Sequence, residues 1–396
     1  MERLRTARLA DGAAFFTQGL VFISLTTRLP DVRDRWDFSE VTLSLVLLMM
    51  VVLAGVGSVL AERAARSTDS ALVLRAGLLL MTMAVPVLVL APAFPVFVAG
   101  MAAYGVALGV VDASTNMQAV AIEHVYGRPI LPSFHGMWTL GGIVGSIITL
   151  STSSVSFRWA AVVALLPLVI AFAPYLRRDH GVIDPVAQAV AEAVPWRPLL
   201  LVGAAMVLFY MVDTAAATWG PTYLDDAFDT PSGLVALATL PYLVASGAMR
   251  LAGDTLVARL GPVAVLRAGA LVAFGALGVI VLAPTWPIAV LGFTVLGLGV
   301  AVIAPLGYSA AAMLAGATTL TGAARQARVD AVIARFNQFN YVGALLGSVL
   351  TGLAGAGSLR VGFAVPMVLV LLLLPLAKAF APAPAPVPAQ TGIRTQ

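Results

Sequence analysis

None of the 396 residues is a cysteine, which excludes disulfides, thiol catalysis and cysteine metal sites. Charge is nearly as scarce, at 11% of residues where soluble proteins carry ~25%. The three histidines form no HExxH pair, so no metal site is expected. The P-loop and the Rossmann glycine fingerprint are also missing, so ATP-driven transport and dehydrogenase chemistry have no support and no cofactor is expected. What the chain does have is apolar surface: 60% of residues are hydrophobic and the mean hydropathy is +0.97. A membrane span takes ~20 apolar residues, so this length holds about a dozen spans and no sizeable soluble domain. The net charge of +4 and a pI near 9.7 belong to short basic loops rather than to a nucleic-acid surface. The first apolar run begins near Leu9 and continues for a full span, with no short h-region or cleavage site, so the first helix is expected to be its own insertion signal.

Apolar runs between charged or Pro/Gly-rich breaks predict twelve spans, near 8–29, 40–61, 71–91, 95–122, 133–153, 157–176, 198–219, 232–252, 263–283, 287–314, 331–355 and 358–379. The longest connection divides them six and six. This gives a first bundle over 1–176, a linker over 177–197, a second bundle over 198–380 and a disordered Ala/Pro-rich tail over 381–396. Basic residues fall mainly on the side holding both termini, including Arg3, Arg5, Arg8, Arg63, Arg75, Arg128, Arg177, Arg250, Arg259 and Lys378. Arg28, Arg33, Arg35, Arg158 and Arg360 fall on the other side. The positive-inside rule therefore places both termini in the cytoplasm, the tail included, with the protein in the cytoplasmic (inner) membrane.

The halves repeat each other. Leu72-Val-Leu-Arg-Ala-Gly77 returns as Ala264-Val-Leu-Arg-Ala-Gly269, Gly105 matches Gly297, and Gly141-Gly-Ile-Val-Gly145 pairs with Gly343-Ala-Leu-Leu-Gly347. Matches in equivalent spans argue for a duplicated six-helix unit, an arrangement that transporters use to build a site at mid-membrane.

Between the second and third spans the chain reads Gly57-Ser-Val-Leu-Ala-Glu62-Arg63-Ala-Ala-Arg66. This resembles the cytoplasmic loop motif of the major facilitator superfamily, Gly-x-x-x-Asp-Arg-x-Gly-Arg, departing from it at Ser58, Glu62 and Ala65. A degenerate second copy, Gly253-Asp254 with Arg259, occupies the matching loop of the second half. Within the superfamily, Gly109-x-x-Asp112-x-x-x-Asn116 is similar to the fourth-span pattern of fucose-permease-like transporters. Gly127-Arg128-Pro129 running into Phe134-His135-Gly136 and Gly141-Gly142 is similar as well. The resemblance implies an all-α polytopic membrane protein with twelve transmembrane helices in two six-helix bundles, working as a monomer, and a fourth-span acid, Asp112, engaged in proton coupling. The first-span acid of that branch has no match around Ser24 to Thr27. The fifth span also lacks the Gly-Pro core of drug antiporters.

The residues carry chemistry without the resemblance. A carboxylate at mid-membrane costs ~2.5–3.5 kcal/mol on insertion scales, so Asp112 is expected to face a polar cavity and to exchange a proton there; the alternative is a structural hydrogen bond to Asn116. Three further groups are proton-coupling candidates. His135 could relay to Asp112 or Glu123, or simply cap the interface. Glu123 could titrate or sit at a solvated helix end. Asp11 heads a stripe with Phe15, Gln18 and Phe22, near the cytoplasmic end, where its charge could reach water or pair with Arg8.

Substrate-binding candidates are Gln18, Asn116, Trp138, Tyr210, Asp213 and the run Asn337-Gln338-Phe-Asn340-Tyr341, whose polar groups crowd one turn. Interhelical hydrogen bonding is the competing account of that run. Trp138 and Tyr242 could stack on a ring, or be core aromatics, and Trp219 is placed at the outer end of its span. Gly57, Glu62, Arg63, Arg66 and Asp254 are expected to form a charged latch between the bundles, with ordinary positive-inside topology as the alternative for Arg66. Gly136, Gly141, Gly142, Gly145, Gly343 and Gly347 read as close-packing positions. Together these predict a non-enzymatic, proton-coupled symporter whose partners are a small sugar-like polar solute, protons and the lipid bilayer. The alternative is an efflux antiporter in which Asp213 attracts cationic compounds.

Overall fold

The computed structural model describes residues 2–126, 130–177, 194–316 and 322–381. Among them every regular element is helical. Eight helices are long and apolar enough to cross a membrane, and shorter pieces complete the predicted order. The first six spans are Glu2–Thr26, Glu40–Ser67, Ser70–Leu90, Phe94–Tyr126, Leu131–Ser151 and Phe157–Ile170. The second six are Trp196–Phe228, Val235–Leu260, Pro262–Leu282, Trp286–Gly316, Gly322–Ala354 and Leu359–Phe380, several of them assembled from consecutive helical pieces. Side-chain caps start three of them: Ser39 accepts from the Thr42 amide at 3.2 Å, Asp69 from the Ala71 amide at 3.0 Å and Ser156 from the Arg158 amide at 3.5 Å.

Three departures from the expected spans have local causes. A short helix, Leu29–Trp36, fills the connection after the first span, with Pro30 in its first turn and Asp37 ending it in the left-handed conformation. The sixth span begins as a 3₁₀ stretch, Phe157–Ala164. The twelfth alternates between α and 3₁₀, with Pro366 and Pro375 removing two backbone donors. The linker residues 178–193 and the tail from 382 lie outside the described residues.

Large apolar side chains such as Leu45, Met83, Phe172, Leu282 and Leu291 are exposed on the outer faces, the inverse of a soluble protein and the arrangement lipid requires. Between helices the chain packs through glycine, since lipid is as apolar as leucine and close approach must supply the adhesion. A Cβ on Gly141 would lie 2.0 Å from the Phe16 carbonyl, fixing the fifth span on the first. Its repeat partner Gly343 would lie 2.6 Å from the Val207 carbonyl, fixing the eleventh on the seventh. Gly105 against Met50 and Gly297 against Tyr242 pair the fourth span with the second and the tenth with the eighth.

The repeated hexapeptide shows the same duplication in a charged group. Arg75 donates to the Ala171 and Ala173 carbonyls at 3.2 and 3.1 Å, pinning the third span to the sixth. Arg267 donates to the Leu374 carbonyl at 3.2 Å, pinning the ninth to the twelfth. Arg35 and Arg360 repeat a second device, each donating to two carbonyls where the third and ninth spans end, Val89 with Ala91 and Val281 with Ala283.

Candidate functional site

Asp112 sits midway along the 33-residue fourth helix, half-buried. Its Oδ1 accepts from Gln18 Nε2 of the first span at 3.2 Å, and its Oδ2 accepts from the Tyr341 hydroxyl of the eleventh at 2.5 Å. Gln18 comes from the first six spans and Tyr341 from the last six, so one carboxylate joins them. Asn116 does not bond that carboxylate; its Nδ2 donates to the Asp112 backbone carbonyl at 2.9 Å, a within-helix bond. The structural pairing considered for Asp112 and Asn116 is therefore not the one found.

A second polar group lies on the seventh and eighth spans. The Tyr242 hydroxyl donates to Asp213 Oδ1, and Tyr242 is otherwise buried, so it is not a stacking platform. Arg250 lies on the same helix as Tyr242, Leu240–Leu260, and donates from Nη1 to Thr139 Oγ1 of the fifth span at 2.9 Å. Its charge acts on Asp213 and His135. Arg250 was expected among the inner loop charges; the helix instead continues a further ten residues to Leu260 and places it between the halves.

A third group centres on Tyr308 of the tenth span. Its hydroxyl donates to Asn337 Oδ1 at 2.8 Å, and its ring stacks on His135 at 6.1 Å between centroids. The structure thus gathers Gln18, Asp112, Tyr210, Asp213, Asn337, Tyr341 and His135 between the halves. Asn340 is half-buried on the same helix, and Trp138, half-buried, packs on Phe22 at 6.2 Å.

Glu123, Asp11, Gln338 and Trp219 lie apart from that group, and His135 joins it without the expected relay. His135 touches neither Asp112 nor Glu123: its ring meets Phe15 edge-on at 5.4 Å, and its Nε2 is buried without a hydrogen-bond partner. Glu123 Oε2 accepts from the Ile130 amide at 2.7 Å, securing the turn into the fifth span. Asp11 neither reaches water nor pairs with Arg8. It is fully buried with both oxygens unpartnered, while Arg8 donates to Ser133 at 3.3 Å and lies over the Tyr126 ring. Gln338 is exposed. Trp219 is buried and donates to the Ser348 carbonyl at 2.8 Å, in the core rather than at a span end.

Of the expected latch, Gly57 packs the second span on the fourth, a Cβ there meeting the Val106 carbonyl at 2.2 Å. Arg63 is exposed, and Glu62 is half-buried. The side chains of Arg66 and Asp254, and all of Gly127, Arg128 and Pro129, lie outside the described residues. Among the glycines, Gly136 does not fit the close-packing reading, since a Cβ there would meet nothing within 4 Å.

The described ion pairs that join the halves are at the opposite end from the N-terminus. Arg33, on the short helix after the first span, bridges Asp225, at 3.0 Å, and Asp226 at the close of the seventh. Burial works against the Arg33 charge, but Asp226, Asp225 and Asp34 outweigh it and hold the guanidinium above its ordinary value. Beside this closure is a cavity of about 40 Å³ bordered by Thr27, Arg28, Thr149 and Asp225.

Sequence reasoning missed Arg250, Thr139 and Tyr308. The available signal was Arg250 itself, a cation between Met249 and Leu251 with no turn residue before Gly253.

No family model matches the chain. An uncharacterized transporter, y4wD, of Sinorhizobium fredii (strain NBRC 101917 / NGR234) is 28% identical over 79% of this chain and 84% of its own. An uncharacterized MFS-type transporter of Yersinia pestis is 26% identical over 90% of this chain and 91% of its own. In structure, the nucleoside transporter NupG superposes with TM-score 0.71 at 14% identity, over 94% of this chain and 99% of that one. The major facilitator transporter FucP, in its outward conformation, superposes with TM-score 0.63 at 14% identity, over 95% and 98%. Relatives and fold together make the chain a multi-pass membrane protein similar in sequence to MFS-type transporters and sharing the fold of the major facilitator structures. Its relatives are transporters, not enzymes.

Proposed function

We propose that the protein is a proton-coupled secondary transporter of a small polar, sugar-like solute, working as a monomer in the cytoplasmic (inner) membrane with both termini inside. One observation carries the reading. Asp112 holds Gln18 with one oxygen and Tyr341 with the other, so its charge state governs a link between the two halves. An ionised carboxylate accepts both bonds; a protonated one carries a donor on one oxygen and must give up or rearrange a contact. A proton arriving at Asp112 is thereby converted into a change in how the halves associate, which is what alternating access requires.

Gln18 and Tyr341 bond this carboxylate, and Tyr308 with Asn337 adds further neutral donors and acceptors between the halves, a set suited to hydroxyl groups; Tyr210, Asn340 and Trp138 are assigned as additional substrate contacts. This supports the fucose-permease-like placement made from the fourth-span motif. The halves are bundles over 1–176 and 198–380, and the Gly57–Glu62–Arg63–Arg66 loop with Asp254 works as the inner latch opposite the Arg33 closure. Asp213 is engaged by Tyr242 and lies near the Arg250 charge, which disfavours attraction of cationic drugs as the main activity.

The experiment is solute uptake into proteoliposomes with and without an inward proton gradient. Gradient-driven uptake by the wild type, lost in D112N while solute exchange across the membrane persists, is expected. Undiminished gradient-driven uptake by D112N contradicts the proposal.

A further inference from the structure

Arg250 is a cation at the interface of the two halves whose donors are largely unused. A guanidinium carries five N–H donors in a planar fork. The hydrogen bond from Arg250 Nη1 goes to the Thr139 hydroxyl, a neutral partner, and the Nε is buried with no partner. The four ion pairs of the described residues belong to Arg28 and Arg33, so none engages Arg250. Asp213, the acid on which its charge acts, spends a carboxylate oxygen on Tyr242 instead. A second buried polar atom close to this charge, His135 Nε2, is also unpartnered.

A cation at membrane depth with no direct ion pair among the described residues is expensive, and fixed cations there mark pathways for ions or substrates. The unmet need is for an acceptor that takes two parallel N–H bonds and carries negative charge, and a carboxylate meets it with matching geometry. We propose that Arg250 is the anchor for a carboxylate on the transported solute, so that the substrate is a small hydroxylated carboxylic acid. The acid group lies between Arg250 and Thr139, beside His135, while the hydroxyls face Tyr210, Tyr308 and Asn337. This deepens the transport reading above and rests on it. It also makes chemical sense of the coupling, because an anion entering with a proton on Asp112 brings no net charge into the low-dielectric interior.

The test is thermal stabilisation of the purified full-length protein by matched probes: gluconate beside sorbitol, glucuronate beside glucose, quinate beside inositol, malate beside erythritol. At least one acid is expected to stabilise the wild type where its neutral partner does not. In R250Q the affinity for that acid falls ~10- to 100-fold, the size of a lost charge-assisted pair, whereas R250K, which keeps the charge without the fork, lies between. R250K and the acid–neutral comparison on the wild type decide the matter if R250Q does not fold.

Stabilisation by neutral polyols alone, or equal stabilisation within each pair and insensitive to R250Q, overturns the carboxylate anchor and leaves polar-solute transport standing. Stabilisation only by lipophilic cations overturns both. Stabilisation by none of the four acids overturns the anchor, while gradient-driven uptake tests the transport reading separately.

Discussion

The Tyr341 hydroxyl donates to Asp112 Oδ2 at 2.5 Å, from the eleventh span to the fourth, and so ties one half of the molecule to the carboxylate of the other. Removing that hydroxyl while keeping the ring isolates the bond. Y341F is expected to reduce proton-driven uptake by ~10-fold or more, since hydrogen bonds to charged groups contribute ~1.5–3 kcal/mol. The unfolding temperature should fall by only a few degrees, and uptake at a series of pH values checks the prediction. Wild-type uptake by Y341F would remove the bond from the mechanism.

Two acids inside the helical bundle should behave oppositely. Asp11 has no hydrogen-bond partner at either oxygen, and Asp112 has two. D11N is expected to retain gradient-driven uptake and to unfold at the same temperature or higher, because an unpartnered buried carboxyl contributes cost rather than stability. D112N is expected to lose coupled uptake. Parallel uptake and unfolding measurements on the two variants separate these outcomes, and loss of coupling in D11N would return Asp11 to the proton path.

Glycine tolerance should follow the packing. A Cβ on Gly109 would lie 1.8 Å from the Ala54 carbonyl, whereas on Gly136 it would meet nothing within 4 Å. G109A is expected to cost ~1–3 kcal/mol through overpacking. G136A should be neutral or stabilising by ~0.5–1 kcal/mol through helix propensity. Melting curves in detergent read both.

The Arg33 pairs with Asp225 and Asp226 close the end of the molecule remote from the N-terminus. R33A should open that end more often. A cysteine at Thr149, beside the cavity under this closure, is then expected to react several-fold faster with a membrane-impermeant maleimide in R33A than in the otherwise wild-type chain. Equal rates would show that the pairs do not hold the closure. The native chain has no cysteine, so the background is blank.

The spans were legible in the sequence because lipid leaves hydropathy as an almost sufficient code for a helix. The repeat was legible because Arg75 and Arg267 perform one anchoring task in two places, pinning neighbouring helices through carbonyls. Asp112 stood out for a similar reason, a charge in an apolar run having few uses. Arg250 was hidden by the same logic, since a cation near a predicted span end already satisfies the positive-inside rule. Tyr308 gave no signal, because a tyrosine in an apolar helix is as compatible with core as with cavity. Asp11 misled through depth: position along the helix suggested water, but packing against the fifth span and its neighbours sealed it.

The most direct measurement of the central claim is the distance between spin labels at A93C and T285C, two exposed positions in equivalent connections of the two halves. Protonation of Asp112 is predicted to change how the halves meet, so the distance distribution should shift between alkaline and acidic pH in the wild-type background and stay fixed in D112N. The same pH-dependent shift in both backgrounds would contradict the account.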